Sequence, residues 1–167
     1  MTEEQKVQEL EDKGRNIFKT YCNEQPWCKF VKESKGRWTG WDVAILDNGT
    51  PTVVEIKYRE HASDKFPTWY LEVDKLKGLK ALQDKCREQT RIVYCNIFTN
   101  NLIAMWNLDT CPLGNTGVAQ VQTNQYGDTS KKYKTVYGLF LMDAYRRDPI
   151  VPFIQTRNDN EDDGLPF

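Results

Sequence analysis

The fold is decided by residues 41–59, which read WDVAILDNGTPTVVEIKYR. Two runs rich in β-forming residues, 41–46 and 52–58, flank a polar turn. Within that turn Asn48 and Gly49 form the strongest short hairpin signal, because a type I′ turn needs positive φ at both central residues. The stretch therefore predicts a β-hairpin in which Asp47 pairs with Thr50.

The register of this hairpin brings two acidic side chains together. If Asp47 pairs with Thr50, Asp42 lies opposite Glu55, and such neighbours have Cβ atoms about 4.5–5.5 Å apart. Lys57 lies on the same face, roughly 6.5–7 Å further along the strand. The other face is apolar and comprises Val43, Ile45, Val54 and Ile56. Opposed like charges destabilise a sheet, so the pattern favours a divalent cation between the carboxylates. The alternative is a solvated face on which Glu55 pairs with a nearby base.

A cation at this position would supply hydrolytic chemistry. Mg²⁺ prefers oxygen ligands and is commonly held by one or two carboxylates together with water and substrate phosphate. We therefore predict Asp42, Glu55 and the backbone carbonyl of Ile56 as ligands of Mg²⁺ or Mn²⁺. The metal lowers the pKa of bound water, and Lys57 can orient that water or stabilise the transition state. The predicted catalytic residues are Asp42, Glu55 and Lys57.

These residues resemble the PD-(D/E)xK nuclease superfamily, whose architecture is called the restriction-endonuclease-like fold. The resemblance rests on residues 41–45 and 53–59, and the element order fits the family over roughly residues 3–108. It implies an α/β (α+β) domain with a central mixed β-sheet flanked by helices. It also implies that Asp42 and Glu55 bind Mg²⁺ and that Lys57 assists hydrolysis of a phosphodiester. Trp41 stands where the family usually has proline.

Other family members carry additional acidic or polar residues on the flanking helices. An acid on the first helix is common, and both Glu9 and Glu11 are candidates. On the helix after the hairpin, Glu72 and Lys75 are candidates, although an i,i+3 surface ion pair between them is an alternative.

Periodicity predicts the remaining elements. We expect helices at residues 3–21 and 69–88 and β-runs at 92–98 and 102–108. Residues 110–132, rich in Gly, Asn, Thr and Gln, are typical of a long loop, and residues 136–145 form a final strand or helix. Residues 27–31 are either a short strand or a continuation. The predicted organisation is one nuclease-like domain, 1–155, followed by a disordered acidic partner-binding tail, 156–167.

Composition limits the class of protein. Hydrophobic residues make up 39% of the 167, and charged residues 28%, which suits one ordinary domain. Without a long apolar run or a secretory signal, we expect no membrane association and a cytoplasmic location, bacterial or in a phage-infected host. The five cysteines show no Cys-x-x-Cys spacing, so free thiols are expected. Net charge is −1, but residues 158–167 carry four acids and no base, which leaves the body mildly basic.

The last ten residues, NDNEDDGLPF, resemble the acidic tip of bacterial single-stranded-DNA-binding proteins. In that family the terminal phenylalanine and carboxylate dock in a basic pocket of repair and replication enzymes. The resemblance implies a partner-binding role for Asp162, Asp163, Leu165, Pro166 and Phe167. A solubilising tail is the alternative.

Two functions fit the sequence. The first is a metal-dependent nuclease, a hydrolase acting on DNA phosphodiester bonds in replication, recombination or repair, for which a phage origin fits. The second is a non-catalytic single-stranded-DNA-binding or recruitment protein that uses its acidic tip. In either case DNA is the expected partner, together with proteins that read the tip, and the sequence allows a homo-oligomer. The aromatic residues that could stack on bases are Trp38, Trp41, Trp69 and Tyr70.

Overall fold

The computed structural model describes residues 1–35, 39–122 and 131–150. Two α-helices and nine strands occur in these ranges, with a short 3₁₀ turn at Leu141–Asp143. The elements are α1 (Glu3–Glu24), β1 (Cys28–Glu33), β2 (Val43–Asp47), β3 (Thr50–Arg59), β4 (Trp69–Glu72), α2 (Val73–Lys85), β5 (Arg91–Phe98), β6 (Leu102–Asn107), β7 (Thr116–Gln122), β8 (Lys131–Leu139) and β9 (Arg146–Pro149). The protein is therefore α+β, as predicted.

Helix α1 begins at a capping box, in which Thr2 and Gln5 each bond the other's backbone N–H. Its buried residues, Gly14, Phe18, Tyr21 and Cys22, recur at helical spacing and turn one face to the sheet. Within the described ranges, neither α-helix combines the length and apolar character that a membrane crossing would require.

The predicted hairpin is confirmed. Strands β2 and β3 pair antiparallel with Asp47 opposite Thr50. Asn48 and Gly49 both have positive φ, 48° and 82°, as a type I′ turn demands. The ladder continues to Val43 opposite Val54. The turn chemistry therefore sets the register of the strands that carry the acidic residues.

The hairpin lies inside a six-stranded mixed sheet of order β1-β2-β3-β5-β6-β9. Strands β3 and β5 are parallel, and the other neighbours in this sheet are antiparallel. Helix α2 connects the parallel pair, because parallel strands need a crossover connection. A second, three-stranded antiparallel sheet has the order β4-β8-β7.

The six-stranded sheet has an apolar core on each face. On one face α1 packs Phe18 and Tyr21 against Val43, Ile45 and other strand residues. On the opposite face, Leu76 and Leu79 of α2 belong to a cluster with residues of β4, β5 and β6. Glu55 and Lys57 alternate with the α1-facing residues of β3, so they point toward the α2 side.

Three sequence expectations about elements are wrong. Residues 69–72 form strand β4 rather than the start of a helix, because they pair with β8. The aromatic and branched side chains there suit a strand. Strand β7 occupies part of the predicted loop 110–132 and pairs with β8 as well. The predicted final segment, 136–145, is neither one strand nor one helix, because β8 ends at Leu139 and the 3₁₀ turn follows it. Of residues 27–31, which were left open between two assignments, 28–31 belong to strand β1.

The expectation of five free thiols is also wrong. Cys22, at the end of α1, and Cys28, at the start of β1, form a disulfide with their Cα atoms 5.3 Å apart. The sequence separation of six residues carries no recognised motif, and the reversal between helix and strand brings the two cysteines together. Cys86, Cys95 and Cys111 are free.

A thiol titration tests this disulfide. Denatured protein that has not been reduced should show three reactive thiols, and reduced protein should show five. Five thiols before reduction would contradict the pairing. The same count bears on the predicted compartment, because disulfides seldom persist in a reducing cytoplasm.

Candidate active site

The predicted acidic residues lie where β2 and β3 separate. Asp42 directly precedes β2, and Glu55 is in the middle of β3. Both are buried, with 8% and 4% of their surface exposed. Charged side chains are rarely buried to this degree without partners, so their contacts decide what the site can do.

The predicted register holds as far as Val43, but Asp42 itself leaves the ladder. Its N–H donates to the carbonyl of Val54 at 3.0 Å, whereas a continued ladder would have set Asp42 directly opposite Glu55. The prediction of a direct cross-strand pair is wrong in this detail. Because the chain turns away at the start of β2, the Asp42 carboxylate lies at the open edge of β3.

Two groups hold the Asp42 carboxylate there. The Ile56 N–H donates to Oδ2 at 2.6 Å. Arg15, on α1, donates to Oδ1 from Nε at 2.8 Å and from Nη2 at 2.7 Å. Arg15 reaches the strand because α1 lies close to β3 at Gly14, where an added Cβ would be 3.3 Å from the Ile56 side chain. Gly14, which weakens the helix pattern in the sequence, is thus what lets the helix approach.

Two lysines flank Glu55. Lys75, from α2, lies 2.9 Å from Oε1 of Glu55, and Lys57 lies 3.6 Å from the same oxygen. The alternative of a Glu72–Lys75 surface ion pair is not what the structure shows, because Glu72 contacts Lys134 at 2.7 Å. Asp42, Glu55 and Lys57 therefore share one site with two further basic residues, Arg15 and Lys75. The sequence analysis considered Lys75 but did not predict Arg15.

The electrostatics reflect this crowding. Burial raises the pKa of Glu55, Lys57 lowers it and the charge of Asp42 raises it further, with a net increase over the ordinary value. Partial burial disfavours the charged form of Lys57, but Glu55 and other negative groups outweigh this and raise its pKa. Lys57 is consequently an ammonium ion at neutral pH, so it can attract an anion and donate hydrogen bonds to it.

Of the two acids considered on α1, the structure singles out Glu11. Burial lowers the pKa of Lys57 and of Arg15, but nearby negative groups raise both values by more. Glu11 is one of these negative groups for each of the two residues. Glu9 is exposed on the helix surface. Glu11 is therefore the helix acid nearest to the site electrostatically.

The donor set fits a hard divalent cation. Asp42 and Glu55 supply carboxylate oxygens. The Ile56 carbonyl points to the same strand edge as the Ile56 N–H that contacts Asp42. Among the described residues no cluster of three or more His, Cys, Asp or Glu side chains is arranged to hold a metal. Such a cation would therefore depend on water and substrate oxygens as well, as Mg²⁺ commonly does, and would compete with Arg15 and Lys75 for the carboxylates.

The aromatic candidates divide. Trp69 is only 4% exposed and belongs to the core, whereas Tyr70 is 51% exposed. Trp41 is half-buried, with the Lys32 ammonium 5.8 Å from its ring centroid. Trp38 and the tail residues Asp162, Asp163, Leu165, Pro166 and Phe167 lie outside the described residues.

Comparison with known proteins adds no family: no family model, curated protein or solved structure matches this chain.

Proposed function

We propose that the protein is a Mg²⁺-dependent deoxyribonuclease that hydrolyses DNA phosphodiester bonds. The observation that carries this proposal is the convergence of Asp42, Glu55 and Lys57 at the edge of β3. Two buried carboxylates and a lysine within 3.6 Å of one of them are an expensive arrangement for stability alone. Even a well-paired buried ion cluster seldom adds net stability, whereas a site that binds a cation and a phosphate would give these charges a role.

The chain's own residues would divide the work. Asp42, Glu55 and the Ile56 carbonyl would hold Mg²⁺ or Mn²⁺. When bound, the metal would supply an activated water and neutralise phosphate charge. Lys57 would orient the water and stabilise the negative charge that develops on the phosphate. Arg15 fixes the Asp42 carboxylate from the helix side, and the Ile56 N–H fixes it from the strand.

The architecture supports the finer assignment to a restriction-endonuclease-like core. The hairpin lies between α1 and α2 in sequence and belongs to a mixed sheet with a helix on each face. This is the arrangement that resemblance to the PD-(D/E)xK superfamily implies. The proposed role in DNA replication, recombination or repair rests on the sequence of the acidic tip, which stays a prediction, as do a partner protein and a phage origin.

One observation favours the second function, a non-catalytic DNA-binding protein. Arg15 and Lys75 already compensate Asp42 and Glu55 at 2.7–2.9 Å, so the carboxylates do not need a metal to be neutralised. A site with these bases permanently in place would bind phosphate without cutting it.

A cleavage assay separates the two. The full chain is incubated with labelled single-stranded, double-stranded and branched DNA in Mg²⁺, in Mn²⁺ and in chelator. The nuclease proposal expects cleavage of at least one substrate in metal and none in chelator. Binding of DNA without cleavage of any substrate would favour the binding protein.

A further inference from the structure

Arg59, the last residue of β3, is held by three neutral groups. Its Nε donates to Oδ1 of Asn96 at 3.2 Å, and its Nη2 donates to the Tyr94 hydroxyl at 2.9 Å and to the Tyr70 carbonyl at 3.1 Å. The guanidinium carbon also lies 5.7 Å from the Trp69 ring centroid, within cation–π range. The guanidinium is thus fixed in position.

This arginine differs from three other arginines that are held by side-chain contacts. Arg15, Arg91 and Arg146 each contact a buried carboxylate. Among the described residues, no carboxylate lies within ion-pair distance of Arg59, and none accepts a hydrogen bond from its Nη1. A guanidinium that is fixed in position, has no anionic partner and has Nη1 free of hydrogen bonds within the described residues is arranged to receive an anion.

The hydrogen bond between Asn96 and Arg59 leaves another polar group of Asn96 unpaired. Guanidinium can only donate hydrogen bonds, so the carboxamide oxygen must face Arg59. The Nδ2 group of Asn96 is consequently left buried without a hydrogen-bond partner among the described residues. An unsatisfied buried donor is destabilising. The contact with Arg59 is therefore maintained at some expense to stability.

Arg59 lies on the same face of β3 as Lys57 and Glu55, because strand side chains alternate. Asn96 is adjacent to Lys57 in the parallel pair with β5, which places the support for Arg59 next to the site. Alternate residues along a strand are roughly 6.5–7 Å apart. An anion held by Arg59 would therefore be a group next to the one that Lys57 contacts.

We propose that Arg59 binds a backbone phosphate of the polynucleotide beside the phosphodiester at Lys57. Arg59 is thus a substrate-positioning residue that fixes the register of the strand across Glu55 and Lys57. This inference rests on the proposed function, since that function is what identifies the bound anion as a DNA phosphate. Its test measures binding alone and does not depend on cleavage.

The test is the salt dependence of binding. Affinity of the full chain for a labelled single-stranded oligonucleotide is measured in chelator, so that no strand is cut, over a range of salt concentrations. Arg59→Gln should weaken binding about tenfold at low salt, as expected for a lost charge-assisted contact. The slope of log affinity against log salt should fall by about 0.7, the contribution of one phosphate on single-stranded DNA.

Arg87→Gln is the matched control, because Arg87 is exposed after α2, and it should leave the slope unchanged. An unchanged slope for folded Arg59→Gln would overturn the proposal, since a purely structural arginine would not alter the number of phosphate contacts. If Arg59→Gln does not fold, Arg59→Lys is used, which keeps the charge and loses the planar fork. It should retain the slope with weaker affinity, and unchanged affinity would count against the proposal. If Arg59→Gln lowers the slope as predicted but the wild-type protein cleaves no DNA in Mg²⁺ or Mn²⁺, the nuclease proposal fails and the phosphate contact of Arg59 stands.

Discussion

The Lys57→Ala variant is expected to fold and bind DNA but to cleave at least about 10²-fold more slowly in single-turnover reactions, the cost typical of losing one transition-state-stabilising donor. Lys57 is a cation 3.6 Å from Glu55, so its removal takes away the positive charge that is proposed to stabilise the transition state. Glu55 keeps Lys75 at 2.9 Å, which limits the loss of stability. The measurement uses excess protein over labelled DNA in Mg²⁺, with circular dichroism as the test of folding.

Lys29→Ala is the matched control, since it removes one positive charge at an exposed position of β1. It should leave the cleavage rate essentially unchanged. Equal losses in the two variants would mean that general charge matters rather than the site. An active Lys57→Ala protein would remove Lys57 from the catalytic residues.

The largest effect on stability is expected at Asp47, the residue before the hairpin turn. Its carboxylate is 1% exposed and accepts contacts from Arg91 at 3.1 Å, Arg146 at 2.8 Å and the Tyr145 hydroxyl at 2.9 Å. Asp47→Asn would leave two arginines near a neutral amide. Breaking a buried ion pair from one side costs about 3–5 kcal/mol. The melting temperature should fall by roughly 6–20 °C, at 2–4 °C per kcal/mol for a chain of this size.

Asp12→Asn provides the matched change on the surface of α1. Asp12 is exposed and accepts a hydrogen bond from Gln8 at 2.9 Å. Its replacement should change the free energy of unfolding by no more than about 0.5 kcal/mol. If denaturant unfolding finds less than about 1 kcal/mol between Asp47→Asn and wild type, the cluster around Asp47 does not hold β9 to the sheet as the structure indicates.

The hairpin was predictable because its information is local. Asn48 and Gly49 specify the turn, and the turn specifies the register through Val43 and Val54. Helix α1 was predictable from the spacing of its apolar residues. Its closeness to β3 could have been suspected at Gly14, since a glycine inside a helix often marks a close approach.

The elements that were predicted wrongly depend on contacts with residues distant in sequence. Residues 69–72 form a strand because they pair with residues 136–139, and no local pattern states that. The disulfide between Cys22 and Cys28 depends on how α1 turns into β1. Tertiary contacts outweighed local propensity in each case.

The candidate site shows the same division. Asp42, Glu55 and Lys57 come from the hairpin, so the motif finds them. Arg15 and Lys75 come from two helices on opposite faces of the sheet, and their convergence on the carboxylates is visible only in the fold. That convergence changes the chemistry, since the two bases compete with a metal for the same oxygens.

The most direct test of the central claim, that the hairpin acids hold a divalent cation which supports DNA cleavage, compares wild type with Asp42→Asn over a range of Mg²⁺ concentrations. The substrate is whichever labelled DNA the wild-type protein cuts. The account predicts that wild-type cleavage rises with Mg²⁺ to saturation and stops in chelator, and that Asp42→Asn stays inactive while folded. Cleavage by wild type that persists in chelator, or a Mg²⁺ dependence that Asp42→Asn leaves unchanged, would contradict it.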